Sequence, residues 1–316
     1  MSNPDAVPRY AFGGMLVTSS HPLPELLPGA EDAADRIDIV FSDDSRGPFG
    51  SVEWFHTWHD HDSVWARFGI AAGEFIVEFP AQAVFVVSPD AQRVVVYAAP
   101  TYQTRHLLLH QVLPLVVARR GRLVLHAGAV AFGSRCVAFL GPTGAGKSTL
   151  VAACVADGAS LISDDCLVLT RDDASWVAWP SYPAVRLWEE SVSLLGARVD
   201  GLAHGAASDK RLLTPGSQCS LIQGPTTLSH LFVLEAPDLP ELTGSGSLAT
   251  QLFSQVFRLD IRDLREAAQV FTDVADLAST VAINRLSGPP ERRDPTAVAA
   301  QCREALRVAV RAPRGA

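Results

Sequence analysis

The first part of the chain alternates apolar and polar residues in short runs. Turn-forming residues such as Asp43-Asp44 and Ser88-Pro89-Asp90 separate the runs. Alternation with a period of two between such turns is typical of strands, and the close spacing of the runs indicates antiparallel hairpins. We therefore predict a β-rich N-terminal domain over residues 1–100. Its predicted strands are 37–41, 52–58, 64–70, 74–79, 83–87 and 93–98.

The pattern changes after Pro100. Apolar residues recur at helical spacing over 104–119, and Pro114 inside this run predicts a kinked helix. From residue 123 onward strands and helices alternate, which predicts an α/β layer structure for a second domain over 101–316 and an α+β chain overall. The predicted strands of this domain are 123–132, 136–140, 160–163, 167–170, 176–179 and 231–234, and its predicted helices are 148–156, 189–195, 248–256, 264–272 and 295–310.

A glycine-rich turn in the second domain satisfies the phosphate-binding pattern G-x-x-x-x-G-K-[ST]. The glycines let successive backbone N–H groups converge on phosphate oxygens, and the following helix points its positive end at the same anion. The lysine adds a full charge near the terminal phosphates, and the serine hydroxyl is the expected Mg²⁺ ligand. The candidate nucleotide-binding residues are Gly141, Pro142, Thr143, Gly144, Ala145, Gly146, Lys147, Ser148 and Thr149.

Two carboxylates follow the next predicted strand, 160–163. One helix and one strand separate Asp164-Asp165 from Lys147. A parallel strand beside the P-loop strand would deliver both carboxylates to the phosphates, where one can hold Mg²⁺ and the other can accept a hydroxyl proton. Adjacent strand residues point to opposite sides, which predicts different roles for the two. The alternative is a solvated Asp-Asp turn.

Two isolated cations lie further along the chain. Arg186 interrupts the apolar run 183–188, and Lys210 lies in 200–228, a span rich in Gly, Ser, Thr and Pro that predicts a long functional loop or a partly disordered segment. Either side chain can clamp phosphates as charge develops in a transition state. Either can also be a surface cation whose stem packs on apolar neighbours. We therefore treat Arg186 and Lys210 as candidate phosphate ligands.

Charge and composition restrict the classes of partner. A formal net charge of −8 argues against non-specific nucleic-acid binding, which needs a basic face. The apolar stretch 107–117 is too short for a membrane span, and the first residues lack the basic and apolar regions of a secretory signal. The five cysteines form no C-x-x-C pair, which is typical of reduced thiols. We predict a cytoplasmic protein without nucleic-acid or membrane partners, and leave a homo-oligomer open.

Motifs of other nucleotide-binding classes are missing. The base-reading motif N-K-x-D of regulatory GTPases needs an asparagine before a lysine, but neither Asn3 nor Asn284 precedes one. The H-R-D and D-F-G motifs of eukaryotic-type protein kinases are also absent from the sequence. The P-loop therefore belongs to another class of nucleotide-binding protein.

Three stretches together resemble one known family. The sequence Leu125-His126-Ala127-Gly128-Ala129-Val130, the P-loop after Phe139-Leu140, and Leu161-Ile162-Ser163-Asp164-Asp165 are similar to the catalytic domain of HPr kinase/phosphorylase and its related serine kinases. The resemblance is strongest over 123–170. It implies a P-loop domain with a mixed sheet of the phosphoenolpyruvate-carboxykinase type. It also implies ATP, or another nucleoside triphosphate, and Mg²⁺ as cofactors, and a serine hydroxyl in a protein or precursor peptide as acceptor. A free serine-like metabolite and non-catalytic ATP sensing are the alternatives.

The same resemblance implies roles for individual residues. Lys147 and Ser148 become phosphate and Mg²⁺ ligands, and the two aspartates become the base and the metal-side residue. We assign Asp164 as the base, with His126 orienting it, and Asp165 to the metal. The acidic, glycine-containing signature with which the bifunctional enzymes remove phosphate is not visible in the sequence, so no phosphorylase activity is expected.

Overall fold

The computed structural model describes residues 7–29, 35–44, 50–173, 175–199, 203–204, 209–214, 216, 219–234, 245–288 and 290–311. The chain divides into two compact units. The first comprises Met1–Arg122 with Arg258–Asp263, and the second comprises Leu123–Phe257 with Leu264–Ala316.

The first unit contains a nine-stranded sheet in the order β3-β1-β2-β4-β9-β8-β7-β6-β5. Successive strands from β5 to β9 pair antiparallel, which confirms the predicted hairpins, whereas β4 runs parallel to both β2 and β9. The strands β1 to β3 were not predicted, because they are short or nearly fully apolar. The strands are β1 Arg9–Phe12, β2 Met15–Ser19, β3 Leu27–Pro28, β4 Arg36–Phe41, β5 Glu53–Asp60, β6 Ser63–Ala71, β7 Glu74–Phe79, β8 Ala83–Val87 and β9 Arg93–Tyr97.

The helical segment after Pro100 belongs to the first compact unit, whereas the sequence placed the domain boundary before it. It consists of α1 Tyr102–Leu107, a π-helical turn Leu108–Val112, and α2 Leu113–Arg119. One contact within this unit is an ion pair between Arg105 of α1 and the Glu25 carboxylate, 2.8 Å apart. The predicted irregularity at Pro114 takes the form of the π turn just before it, as expected where a backbone N–H is missing.

The second unit contains a nine-stranded mixed sheet and a small three-stranded sheet, which confirms the α/β class. The large sheet has the order β10-β14-β15-β20-β12-β11-β13-β19, and β21 pairs with β20. The small sheet has the order β16-β18-β17. The strands are β10 Leu123–Leu125, β11 Ala127–Phe132, β12 Arg135–Leu140, β13 Ser160–Ser163, β14 Leu167–Asp172, β15 Ser175–Trp179, β16 Val185–Leu187, β17 Ala203–His204, β18 Arg211–Leu213, β19 Ser220–Leu221, β20 Thr226–Leu234 and β21 Ala282–Leu286.

Helices cover both faces of the large sheet. Along β12, Val137 and Phe139 belong to a core shared with helices α3 and α7, whereas Cys136 and Ala138 belong to a core shared with α5 and α6. A strand that is buried on both faces has apolar residues at successive positions, and β12 shows this pattern. The helices are α3 Lys147–Ala156, α4 Glu189–Leu195, α5 Ser245–Ser254, α6 Leu264–Thr280 and α7 Pro295–Arg311.

The apolar run 123–132, predicted as one strand, is divided at His126. Strand β10 pairs with β14, whereas β11 pairs with β12 and β13. The backbone N–H of His126 leaves the sheet and donates to Gln255 O at 2.8 Å. The break places the histidine between two strands, at the end of the sheet where the P-loop begins.

The strand before Asp164 is not adjacent to the P-loop strand, which corrects the predicted arrangement. Strand β11 lies between β12 and β13 and is antiparallel to both. Because two strands that are antiparallel to a third run in the same direction, β12 and β13 still end at the same edge of the sheet. Ala129 of β11 pairs with Ala138 on one side and Ser163 on the other, which sets the carboxylates level with the start of the P-loop.

The span 200–228 contains more regular structure than predicted. Strands β17, β18, β19 and the first part of β20 fall within it. Residues 200–202, 205–208, 215 and 217–218 lie outside the described residues, so the predicted loop is not tested there. Within the described part of the chain, no helix is long and apolar enough to cross a membrane.

Gly128 allows the close approach of β11 to the carboxylate turn. A Cβ atom at this position would lie 2.6 Å from Val151 Cγ2 and 2.8 Å from Asp164 O. Gly128→Ala is therefore expected to destabilise the protein by about 1–3 kcal/mol, the usual cost of overpacking, in chemical denaturation. Gly224→Ala is the matched control, because a Cβ there meets nothing within 4 Å. Equal stability of the two variants would contradict this packing.

Candidate active site

The P-loop connects β12 to α3. Gly144 has φ 82° and Gly146 has φ 94°, in the left-handed region that glycine enters at little cost. Gly146 is the N-cap residue of α3, which begins at Lys147, and the Gly146 position provides no side-chain hydrogen bond to the helix. The first N–H groups of α3 are therefore available to an anion, with the positive end of the helix dipole behind them.

Lys147 folds back over the loop that precedes it. Its Nζ donates to Gly141 O at 2.7 Å and to Pro142 O at 3.1 Å, and only 6% of the residue is exposed. Burial lowers the pKa of Lys147, while the charges of Asp165 and Asp164 act in the opposite direction. The ammonium group is thus held at the rim of the P-loop, where a phosphate would meet it.

Asp164 lies directly after β13 and is almost completely buried, with 3% exposed. Its Oδ2 accepts a hydrogen bond from the backbone N–H of Arg186 at 3.0 Å, and the Ser148 hydroxyl lies close to the same carboxylate. Its Oδ1 is buried and has no hydrogen-bond partner among the described residues. Burial, and then the charge of Asp165, raise the pKa of Asp164 to about 6. A buried carboxylate oxygen without a partner calls for a cation or a proton.

Asp165 lies in a different environment. Its Oδ1 is 3.2 Å from His126 Nδ1, its Oδ2 is 4.0 Å from Arg186 Nη2, and its side chain is 29% exposed. Burial lowers the pKa of His126, although the nearby Asp165 carboxylate partly opposes this. The sequence analysis predicted that His126 orients Asp164, but in the structure His126 contacts Asp165. Asp164 turns inward to Ser148, and its neighbour in sequence points the other way, toward His126.

Two serines fix the turn that carries both carboxylates. Ser163 Oγ donates to Cys166 O at 2.6 Å and accepts from Cys166 N at 3.2 Å. Ser181 Oγ lies 2.9 Å from Ser163 Oγ and 2.7 Å from Cys166 O. Ser163 and Ser181 are buried, so these bonds form away from water and hold Asp164 and Asp165 in one orientation.

Ser163→Ala is expected to lower the free energy of unfolding by about 1–3 kcal/mol, because it leaves buried polar groups of the turn without partners. Urea denaturation measures this change. The control is Ser160→Ala on the same strand, which removes only the exposed contact with Ser220. If Ser163→Ala is no more costly than the control, the serine pair does not stabilise this turn.

The two candidate cations lie on the same side of the P-loop as the carboxylates. Arg186 is on β16, with its side chain 16% exposed. Lys210 lies just before β18, with its Nζ 4.7 Å from the centre of the Trp188 ring. Burial and then the charge of Arg186 lower the pKa of Lys210, whereas Asp164 and Asp165 act against this shift. The structure thus brings together residues that are far apart in the sequence.

Sequence reasoning missed one residue that supports the P-loop. Arg293 lies 148 positions from Ala145, yet its Nη1 donates to Ala145 O at 2.8 Å. Its Nη2 donates to Leu286 O at 3.1 Å, at the end of β21. No motif marks this arginine, because its role depends on the pairing of β21 with β20.

Comparisons with known proteins do not assign the chain to a family. No protein-family model matches the chain, and no curated protein matches it. Among solved structures, the Hpr(Ser) kinase/phosphatase from Coxiella burnetii is similar to a part of it. That similarity has 15% sequence identity and a TM-score of 0.25, and covers 37% of this chain and 69% of the other. A similarity this weak does not support an assignment of function, so the function is inferred from the residues of the site.

The donor groups around Asp164 fit a magnesium ion that is shared with phosphates. Mg²⁺ is usually held by one or two carboxylates and substrate phosphates rather than by an all-protein cage. Asp164 Oδ1 and the Ser148 hydroxyl are such donors. In the described part of the chain, no group of three or more His, Cys, Asp or Glu could enclose a metal alone. The sequence analysis instead predicted Asp165 as the metal-side residue, and that assignment stays a prediction.

Proposed function

We propose that this protein is a kinase that transfers the γ-phosphoryl group of ATP to a serine hydroxyl of a protein or precursor peptide. The observation that carries the proposal is the pair of adjacent carboxylates in unlike environments beside a P-loop. Asp164 is buried against Ser148, and Asp165 is partly exposed beside His126. Two neighbouring carboxylates whose environments differ in this way are suited to different steps of one reaction.

On the donor side, the N–H groups at the start of α3 and the Lys147 ammonium bind the phosphates of ATP. Ser148 and Asp164 would hold Mg²⁺, which would supply positive charge against the charge that develops on the transferred group. A bound cation would also offset the cost of burying the Oδ1 atom of Asp164, which has no partner among the described residues. Arg186 and Lys210 supply fixed positive charge next to the carboxylates.

On the acceptor side, Asp165 accepts the proton of the attacking hydroxyl. Its contact with His126 orients the carboxylate, and its partial exposure leaves room for an acceptor. Because burial lowers the pKa of His126, the imidazole is neutral at neutral pH and does not cancel the negative charge of the base. These roles of Asp164 and Asp165 are the reverse of those assigned from the sequence.

The arrangement favours an enzyme over a protein that only senses ATP. A sensor needs the P-loop and a metal ligand, but not a second carboxylate that a half-buried histidine orients. The serine pair that fixes the turn also holds Asp165. Such positioning contributes to rate when an acceptor is present, because phosphoryl transfer depends mainly on alignment and charge neutralisation.

The proposal is tested by mass spectrometry after incubation of the protein with ATP, Mg²⁺ and candidate acceptors. The acceptors are a library of serine-containing peptides and, separately, free serine. Phosphate on a peptide serine with the intact protein, and not with Lys147→Ala, supports the proposal. Phosphate on free serine alone identifies a metabolite kinase instead. ATP binding without transfer to either acceptor class counts against a serine kinase and favours a sensor.

A further inference from the structure

A pocket of about 190 Å³ lies beside the P-loop, on the side that faces α4. The end of the P-loop and the first turns of α3 form one wall, α4 forms a second, and the segment leading into α7 forms a third. Gly146, Thr149, Ser191, Leu194 and Pro290 are among its lining residues. None of the residues assigned to the acceptor side of the reaction lines it.

The first turn of α3 separates this pocket from the carboxylates. Ser148 lies close to Asp164, whereas the next residue, Thr149, has its hydroxyl 2.8 Å from Ser191 Oγ on α4. A chain of phosphates along this turn has two ends. If the terminal phosphate lies beside Ser148 and Asp164, where transfer occurs, the other end of the chain points toward the pocket.

The pocket is joined rigidly to the P-loop. Arg293 connects Ala145 O to Leu286 O through its two terminal nitrogens. A Cβ on Gly146 would lie 3.7 Å from Pro290 Cβ, so the third wall is in contact distance of the last P-loop glycine. A ligand group in the pocket would therefore be held at a fixed distance from phosphates in the loop.

The walls are mainly apolar, with few polar groups. Leu150 and Pro290 contribute apolar surface, and Leu194 lies at the rim with 59% of its surface exposed. The polar groups are those of Glu190, Arg293 and the Thr149–Ser191 hydroxyl pair. This composition is typical of small-ligand sites, but the volume is below the roughly 300–1,000 Å³ of sites for drug-sized ligands. A volume of about 190 Å³ is on the scale of a nucleoside rather than of a peptide.

We infer that this pocket holds the nucleoside of the donor nucleotide, with the base against Leu194 and Pro290. The inference rests on the proposed function, because it requires a nucleotide in the P-loop. It assigns the two sides of α3 different ligands: the nucleoside lies on the α4 side and the acceptor on the Asp165 side.

The test compares ATP with inorganic tripolyphosphate, which has the phosphates of ATP but no nucleoside. Both are titrated into the full-length protein with Mg²⁺ by isothermal titration calorimetry. Ser191→Phe fills the pocket, and Leu194→Asn makes its rim polar without adding charge. Leu264→Asn is the matched control, because Leu264 is an exposed helical leucine (81% exposed) that does not line the pocket.

The wild type is expected to bind ATP at least about tenfold more tightly than tripolyphosphate, because the base buries apolar surface. Ser191→Phe is expected to reduce ATP affinity to that of tripolyphosphate and to leave tripolyphosphate affinity unchanged. Leu194→Asn is expected to reduce ATP affinity partially, and Leu264→Asn not at all. Unchanged tripolyphosphate binding also shows that the P-loop of each variant is intact.

Other outcomes overturn the inference in distinguishable ways. If the wild type binds both ligands equally, or the pocket variants keep full preference for ATP, the nucleoside lies elsewhere and the P-loop function stands. Equal losses of ATP and tripolyphosphate affinity would mean that the variants act on the P-loop, which also contradicts the assignment. If the wild type binds neither ligand, the proposed function and this inference fail together.

Discussion

Asp165→Asn is expected to lower the rate of the proposed phosphoryl transfer by about 10²–10⁴-fold, the usual contribution of a positioned general base. ATP binding is unchanged, because Asp165 turns away from Ser148 and toward His126. The amide keeps the size of the carboxylate but cannot accept the hydroxyl proton. The loss therefore falls on kcat, and the Kd of ATP in the presence of Mg²⁺ stays at the wild-type value.

Steady-state kinetics with the acceptor found by mass spectrometry, together with calorimetric ATP titration, measure both quantities. Asp172→Asn is the matched control, because Asp172 is an exposed carboxylate at the end of β14. Near-normal transfer by Asp165→Asn would exclude Asp165 as the base. A large loss of ATP affinity, with transfer intact at saturating ATP, would instead place Asp165 on the metal.

The second large effect is a gain of stability. Asp164→Asn stabilises the ligand-free protein at pH 8 by up to about 3 kcal/mol, because burial raises the pKa of Asp164 from 3.8 to about 6 and each pKa unit corresponds to about 1.4 kcal/mol. The amide oxygen can still accept the hydrogen bond from Arg186 N. We expect the same variant to lose most transfer activity, since a neutral amide binds Mg²⁺ more weakly than a carboxylate.

The sign of the pH dependence follows from the direction of the shift. Between pH 4 and 6 the folded protein binds the proton more tightly than the unfolded chain, so the stability contributed by protonated Asp164 is lost as the pH rises through about 6. The advantage of Asp164→Asn is therefore largest at pH 8 and disappears near pH 4. Thermal unfolding of wild type and variant with EDTA, across this range, measures it. A variant less stable than wild type at pH 8 would contradict an ionised, unpartnered Asp164.

Local patterns were sufficient to predict much of the second unit. The P-loop could be recognised because a fixed spacing of glycine, lysine and serine directly determines a phosphate-binding turn. Short runs of apolar residues predicted the helix after the P-loop and strand β13, and both elements are present. The six predicted strands of the first unit are also confirmed, because turn residues bound each alternating run.

Features that depend on distant pairing could not be predicted. The apolar run 123–132 carries no sign of the break at His126, which depends on a backbone bond to Gln255. The position of β11 between β12 and β13 is likewise invisible in a continuous apolar pattern. The orientation of Asp164 toward Ser148 depends on this topology, which explains why the sequence analysis paired His126 with Asp164 rather than with Asp165.

The central claim is that the P-loop and Asp164 form one Mg²⁺-dependent nucleotide site. Its most direct test is calorimetric titration of ATP into the wild type, Lys147→Ala and Asp164→Asn, each with Mg²⁺ and with EDTA. We predict that Mg²⁺ tightens ATP binding to the wild type, that Asp164→Asn abolishes this tightening, and that Lys147→Ala weakens binding in both conditions. Equal ATP affinity of the wild type with and without Mg²⁺, or unchanged binding by Lys147→Ala, would contradict the claim.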